Sequence, residues 1–417
     1  MTPRERRSQH PSASEWSQVW NAYPFDREPT GNIPIPDVVL PRDDRPGMVE
    51  ITARDGPDVV RLHTEVWGEA AGGQLEARWT WLTQENPHRS SGEMIGAAWQ
   101  EGGELRAYQL MLPQVFRVDG RPWRVYQVGS LTASEGSRAA MMRMWRKSRW
   151  WPISCWGVSS YAFPLLQRFY RHEDFWAYPG AEFPVEDFGP EEADASLPCF
   201  LSWRNPPSMV RPVDFSGRFP VPGLAAMATR LLRVMDRRIL RRDMGVPLRE
   251  VDRFPGIRAQ EFDALMDGYP FLVERSVAYL NWRYVDRPGV ACRRFLLDGS
   301  SGEIKAWAVI DPKDDARGLP CWEICDCLAG YGDLDSYRAL LVQIVRIARE
   351  AGISTVRIAA PTSPGHRRVC RGLGFITRPA DDRRLFLWRV PSGISPAAAS
   401  DLANWYLVSG DVDPTII

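Results

Sequence analysis

The sequence predicts an α/β protein of two similar halves in tandem, each a mixed, largely antiparallel central sheet flanked by helices. Three observations predict it. The chain has 417 residues, too long for one ordinary core and well suited to two. Stretches with period-two and period-3.6 apolar spacing follow one another in the same order twice. Residues at matching places also keep a near-constant separation. Trp81 and Pro87 recur as Trp282 and Pro288, Gly103-Glu104 as Gly302-Glu303, and Tyr170-x4-Phe175 as Cys370-x4-Phe375, at offsets of 201, 199 and 200 residues. Three matches in one order point to an internal duplication.

The elements run as follows. Residues 1–47, rich in Pro and Arg, form an arm with Trp16, Trp20, Tyr23 and Phe25 to dock it. Residues 48–185 are the first half. MVEITAR alternates as a strand, and DVVRLHTEVWG and LEARWTWLTQ carry helical spacing. MIGAAWQEGGELRAYQLML is a hairpin turning at Gly102-Gly103, and VFRVDGRPWRVYQVGSLTA is a strand pair joined at Asp119-Gly120. A helix near 137–149, the strand ISCWGVS and a helix near 161–172 follow. Residues 186–245 join the halves through a Pro-rich loop and a helix. In that helix Leu224, Met227, Leu231, Met235 and Ile239 recur at steps of three and four, with Arg230, Arg233, Arg237, Arg241 and Arg242 over much of the rest. Two readings stand: a bridging helix whose apolar stripe packs on a domain while its arginines face water, or a surface for an anionic membrane or an acidic partner.

Residues 246–391 repeat the first order. VPLREVDRF is a strand, AQEFDALMD and VERSVAYLNWRY are helices, and CRRFLLDGSSGEIKAWAVID is a hairpin. The strand CWEICDCLA, the amphipathic helix DSYRALLVQIVRIAREAG, the strand STVRIAA, the helix PGHRRVCRGLG and the closing strand RRLFLWRV complete it. Residues 392–417 are a tail.

Composition narrows the function classes. The formal net charge is zero, so no global field draws the chain to nucleic acid and no DNA partner is expected. Seven cysteines in no disulfide spacing suit a reducing cytoplasm. The charged N-terminus has no apolar core behind it, no run of about 18 apolar residues occurs, and a cytoplasmic location is expected. Cys321, Cys325 and Cys327 share a strand face by parity, but no C-x-x-C or paired His joins them, and no metal is expected.

Strand, two helices, antiparallel strands, helix, strand, helix and strand is an order that resembles the GCN5-related N-acetyltransferase (GNAT) superfamily. The ending Cys370-Arg-Gly-Leu-Gly374-Phe375 resembles that family's Y-x-x-x-G-F signature, and Tyr170-Arg-His-Glu-Asp174-Phe175 stands at the matching place in the first half. The closing Trp405-Tyr-Leu-Val-Ser-Gly-Asp411-Val-Asp413 looks like the tail of bacterial tandem members found among polysaccharide-biosynthesis genes. The resemblance implies acyl-CoA as co-substrate, held by its pyrophosphate on a loop of pattern Q/R-x-x-G-x-G/A at a helix N-terminus. In the second half that place reads Cys327-Leu328-Ala-Gly330-Tyr-Gly332, with Cys327 in place of the basic or amide residue and Asp333 at the helix start. In the first half it reads Ala133-Ser-Glu-Gly136-Ser-Arg138, without the glycine pair. The resemblance therefore places the cofactor in the second half, on Leu328, Gly330, Gly332 and Cys370.

The implied chemistry needs a base for the amine proton and an acid for the departing thiolate. Glu323, just before the region the family splays, is the candidate base. Tyr170 is the candidate acid, while Cys370 replaces the family's Tyr and is a poor acid. Glu323 and Asp326, three apart, lie on opposite faces of a regular strand. The expected function is acyl transfer from acyl-CoA to a small-molecule amine such as an amino sugar or polysaccharide precursor. The alternatives are a non-catalytic tandem scaffold in a biosynthetic complex and a tRNA-dependent aminoacyl transferase of the peptidoglycan-bridge type.

Overall fold

The computed structural model describes residues 47–90, 95–137, 140, 153–158, 176–177, 199–204, 207–215, 222–239, 248–378, 384–388, 398–399 and 401–412. They form two mixed sheets with helices against them, the expected architecture. The first sheet begins with β1 (Gly47–Ile51), β2 (Gly96–Glu101), β3 (Glu104–Val118), β4 (Arg121–Ala133) and β5 (Ile153–Val158), adjacent in that order. β1 to β4 are antiparallel neighbours and β5 runs parallel to β4. Gly102 and Gly103, at φ 60° and 77°, turn the β2–β3 hairpin, and Asp119 and Gly120, at 48° and 76°, turn the β3–β4 hairpin. Such two-residue turns need left-handed backbone at both positions, which Gly supplies freely and Asp tolerates.

The second sheet holds, in spatial order, β9 (Leu248–Val251), β11 (Arg293–Asp298), β12 (Ile304–Asp314), β13 (Pro320–Ala329) and β14 (Thr355–Ala359). Again the last two are parallel. Both sheets then exchange a strand. β16 (Arg384–Trp388), late in the chain, lies antiparallel between β5 and β7 (Cys199–Arg204) in the first sheet, with β6 (Trp176–Ala177) parallel to β7 beyond it. β8 (Ser208–Pro212), from the joining stretch, lies between β14 and β15 (Ile376–Thr377) in the second. β10 (Phe271–Val273) adds to β3, and β17 (Trp405–Tyr406) adds to β10. The two sheets thus share chain segments in both directions.

Helices α1 (Gly56–Trp67) and α2 (Glu69–Thr83) cover the first sheet, where Val59, Leu62, Leu75 and Leu82 join one apolar core with Tyr108 and Leu110. In the second half α4 (Ala259–Met266) and α5 (Val277–Tyr284) play that part. The long helix α6 (Leu334–Glu350) and α7 (Pro364–Gly372) cover the opposite face. Ser276 caps α5 by accepting from Tyr279 N, and Asp333 caps α6 by accepting from Ser336 N at 2.9 Å.

The repeat read from sequence appears in space as a symmetric contact. Trp81 and Trp282 stack with centroids 4.5 Å apart and planes 14° apart. Each indole N–H donates to the other residue's carbonyl, at 2.7 and 3.0 Å. Equivalent residues meeting reciprocally is the signature of a two-fold contact between copies, here within one chain.

One sequence reading is corrected by the joining helix, α3 (Pro222–Ile239). Among the residues whose side chains are described, its apolar stripe does not pack on a domain: Leu224, Met227 and Leu231 are exposed, and Ala225, Thr229 and Asp236 face the body instead, while the side chains of Met235 and Ile239 lie outside that description. Asp236 anchors the helix, accepting from buried Arg211 at 2.5 Å and from Arg349. Two hydrogen-bonded ion pairs on the buried Asp236 carboxylate fix the docking face, since turning the helix would leave a buried charge unpaired at a cost of about 3–5 kcal/mol.

Candidate functional site

Each half contains the same backbone device. In the first, β4 pairs with β3 in register except that Gly129 and Ser130 together oppose Leu110. In the second, Cys325 is an extra residue between Asp326, opposite Val309, and Ile324, opposite Ile310. Both are β-bulges, and in both the parallel neighbour is lost there. β4 pairs with β5 only through Val128, and β13 pairs with β14 only through Ile324. A bulge bends its strand and ends pairing, so each sheet opens into a wedge beyond it. Backbone donors and acceptors on that side of the wedge need partners.

The bulge also overturns two parity readings. With one residue inserted at Cys325, Cys327 joins the core with Trp322 and Ile324, while Cys325 packs against the opposite cluster that contains Leu328. The three cysteines therefore do not share a face, and Glu323 and Asp326 fall on the same one.

The second wedge is filled by the chain itself. Tyr406 donates its hydroxyl proton to Cys327 O, and Ser409 Oγ donates to Ile324 O and Cys325 O at 3.3 and 3.2 Å. Across the wedge Thr362 Oγ1 donates to Trp405 O. Gly410 sits so close to Tyr284 Oη and Cys325 O that an added Cβ would strike both. Behind it lies a buried ionic network. Arg275 bridges Asp326 at 2.9 Å and Asp411 at 2.6 Å, Tyr284 donates to Asp326 at 3.0 Å, and Arg283 donates to Gly410 O. Burial raises the Asp411 pKa to about 6, against the opposing pull of Arg275.

The predicted site residues of this half lie on β13, on the loop after it and on α7. Leu328 is wholly buried. Cys370 is also wholly buried, 3.7 Å from Tyr337 Oη, and burial pushes its thiol up to about 12. Gly330 has open space around it, with Asp333 Cβ 3.9 Å from an added Cβ, and Gly332 has φ 79°. Asp333 already satisfies the helix-end N–H of Ser336 that an anion would seek. Glu323 lies before the bulge, on the stretch still paired with β14, and its carboxylate is engaged by Lys313 and, at 3.9 Å, by Arg357. The structure does not leave the second wedge vacant for an acyl carrier. Tyr170 lies outside the described residues.

The first wedge differs. Among the described residues no strand pairs with Gly129–Ala133 on the β5 side, and Gly129, Leu131 and Ala133 keep partial solvent access, while Cys327 and Ala329 have none. The loop below turns at Gly136, φ 81°, with Ser134 Oγ donating to Arg106 O at 3.2 Å and to Ser137 Oγ at 2.9 Å. Beside it stands a polar cluster missed in the sequence because its members lie on three elements. His63 Nδ1 is 2.5 Å from Tyr108 Oη, and Tyr108 lies opposite Thr132, with which it hydrogen-bonds. Trp67 donates its indole N–H to Thr132 Oγ1 at 3.0 Å while its ring is exposed. Partial burial holds His63 below its ordinary pKa of 6.5, and burial raises Tyr108 to about 12. At neutral pH the imidazole is therefore uncharged and the phenol protonated.

No family model matches the chain, and no curated protein matches its sequence. Solved structures do match. A conserved protein from Enterococcus faecalis, described as a probable N-acyltransferase, superposes with TM-score 0.52 at 8% identity, over 82% of this chain and 72% of its own. A GCN5-related N-acetyltransferase from Anabaena variabilis gives 0.48 at 11% identity over 82% and 72%. Saccharomyces cerevisiae N-myristoyltransferase with bound myristoyl-CoA gives 0.45 at 12% over 91% and 95%.

Proposed function

From a chain that carries the GCN5-related N-acetyltransferase fold twice, we propose an acyl-CoA-dependent N-acyltransferase whose acyl-CoA enters the first wedge. One observation carries this reading: of two equivalent wedges, one is filled by residues 405–411, and the other presents a strand edge that is partly accessible and, among the described residues, unpaired. The pantetheine arm of CoA is an extended chain with two amides. It can pair with that edge as an added strand does. The backbone at Ser134–Ser137 then lies where the pyrophosphate would seek donors.

The amine nitrogen attacks the thioester carbonyl, the C–S bond breaks, and the amine gives up a proton. We assign that proton to His63. With Nδ1–H donating to Tyr108 Oη, Nε2 keeps a lone pair, and burial holds the ring neutral. Tyr170 is the proposed proton source for the thiolate, on the strength of its sequence position alone. Trp67 would form one wall for the acceptor. An amino sugar or polysaccharide precursor as acceptor rests on the tail resemblance at Trp405–Asp413.

Calorimetric titration with acetyl-CoA and with a long-chain acyl-CoA tests the reading on the wild type, Gly136→Glu and Gly330→Glu. Saturable binding lost in Gly136→Glu and kept in Gly330→Glu is the expected result. The opposite pattern would return the cofactor to Leu328, Gly330, Gly332 and Cys370 and make Glu323 the base to test. No binding by the wild type would leave a scaffold.

A further inference from the structure

Helix α3 is held to the body by the wrong face for an ordinary amphipathic helix. Ala225, Thr229 and Asp236 recur at steps of four and seven and are buried. Thr229 accepts from Phe215 N at 3.0 Å and donates to Asp214 at 3.3 Å, and Asp236 takes Arg211 and Arg349. At 100° per residue these three point about 160° away from the mean direction of Leu224, Met227, Leu231 and Val234. Those four are half to two-thirds exposed, Met227 at 64% and Leu231 at 63%. The aliphatic stripe is thus aimed straight out from the molecule, on a helix locked against rolling inward.

The charges of the helix select what could cover the stripe. Arg230, Arg233 and Arg237 lie exposed along one border of it. The helix has one acidic residue, Asp236, which is buried and paired. Of the three arginines, Arg233 has a carboxylate within reach, Asp214 at 3.9 Å. A second copy of this chain seated antiparallel on the stripe by two-fold symmetry would bring like-charged borders together. An anionic sheet of headgroups with an apolar interior behind it satisfies both the stripe and its border.

We propose that α3 docks the protein peripherally on anionic lipid bilayers, with Leu224, Met227, Leu231 and Val234 entering the acyl region and Arg230, Arg233 and Arg237 meeting the headgroups. The full chain is sedimented with phosphatidylcholine vesicles, with and without phosphatidylglycerol, at low and high salt. Binding to the anionic vesicles, at least tenfold weaker at high salt and on phosphatidylcholine alone, is expected. Met227→Glu/Leu231→Glu alters exposed side chains and should abolish it, while Arg230→Gln/Arg237→Gln should weaken it and flatten the salt dependence. Absence of vesicle binding by the wild type would overturn the proposal. So would a concentration-dependent dimer in sedimentation velocity that the Met227→Glu/Leu231→Glu variant dissolves, since the stripe would then be a copy-to-copy contact.

Discussion

His366 gives the sharpest energetic test of how the second wedge is closed. Its ring is buried against Tyr337, Tyr406 and Tyr269, with centroids 4.5, 5.4 and 6.4 Å away. Among the described residues neither ring nitrogen has a hydrogen-bond partner. Burial alone lowers its pKa from 6.5 to about 4. Because the folded value lies below the unfolded one, the unfolded chain takes up the proton first as pH falls. The resulting stabilisation is complete above 6.5 and is lost as pH drops through about 4. Between about pH 7 and about pH 4.5 the loss integrates to about 2.4 kcal/mol. His366→Phe keeps an aromatic ring in the cage and removes the titration, with no hydrogen bond forfeited. Urea unfolding of both proteins at the two pH values measures the effect. At neutral pH the variant should lie within about 1.5 kcal/mol of the wild type, as a near-isosteric swap does. At acid pH its loss should be smaller than the wild type's by about 2.4 kcal/mol. Equal losses in the two proteins would refute the reasoning, since the imidazole would then meet solvent or a partner in the folded state.

Asp411 should show the opposite sign. Its folded pKa of about 6 lies above the ordinary 3.8, so its contribution is present below 3.8 and lost as pH rises through 6. Relative to wild type, Asp411→Asn should gain about 2.4 kcal/mol between about pH 4 and about pH 7 in the same unfolding assay, and a pH-independent difference would contradict it. Removal of the stacked indole in Trp282→Ala should destabilise the whole chain by about 3–5 kcal/mol in thermal or urea unfolding. A loss confined to second-half signals would mean that the two halves unfold separately.

The architecture was legible because it is written in local chemistry. The turns at Gly102-Gly103 and Asp119-Gly120, the Asp333 cap and the apolar face of Leu334–Glu350 are all settled by neighbours in sequence. The 201-residue spacing of Trp81 and Trp282 even anticipated a pair that meets in space. The bulge at Cys325 was not legible, because a single inserted residue leaves no mark on an apolar run, yet it flips the facing of every residue after it. That one residue accounts for the misread faces of Cys327 and Asp326. The His63–Tyr108–Thr132–Trp67 cluster escaped for a different reason: its members come from α1, β3 and β4 and show no common spacing. On α3 the apolar spacing is visible in the sequence, while the direction of the stripe is not and leaves both readings open. Which face docks was decided by Arg211 and Arg349, far from the helix in sequence.

The filled wedge and the exchanged strands bear on each other. A bulged strand that loses its parallel neighbour exposes backbone groups that must be satisfied by solvent, by a ligand or by chain. In the second half the chain supplies them through Tyr406 and Ser409, and Arg275 holds the segment in place from the core. The segment that does this has first added to β10, which itself adds to β3 of the first sheet. β16, just upstream, is already a member of that sheet. Removing residues 405–412 would therefore open the second wedge and strip an edge from the first sheet together. A ligand entering the second wedge would have to displace Tyr406 from Cys327 O and Ser409 from Cys325 O, in a segment tied down by the Arg275–Asp411 pair and by the packing of Trp405 on Phe271. The first wedge asks no such rearrangement of the described residues, which is the physical reason for seeking the acyl carrier there.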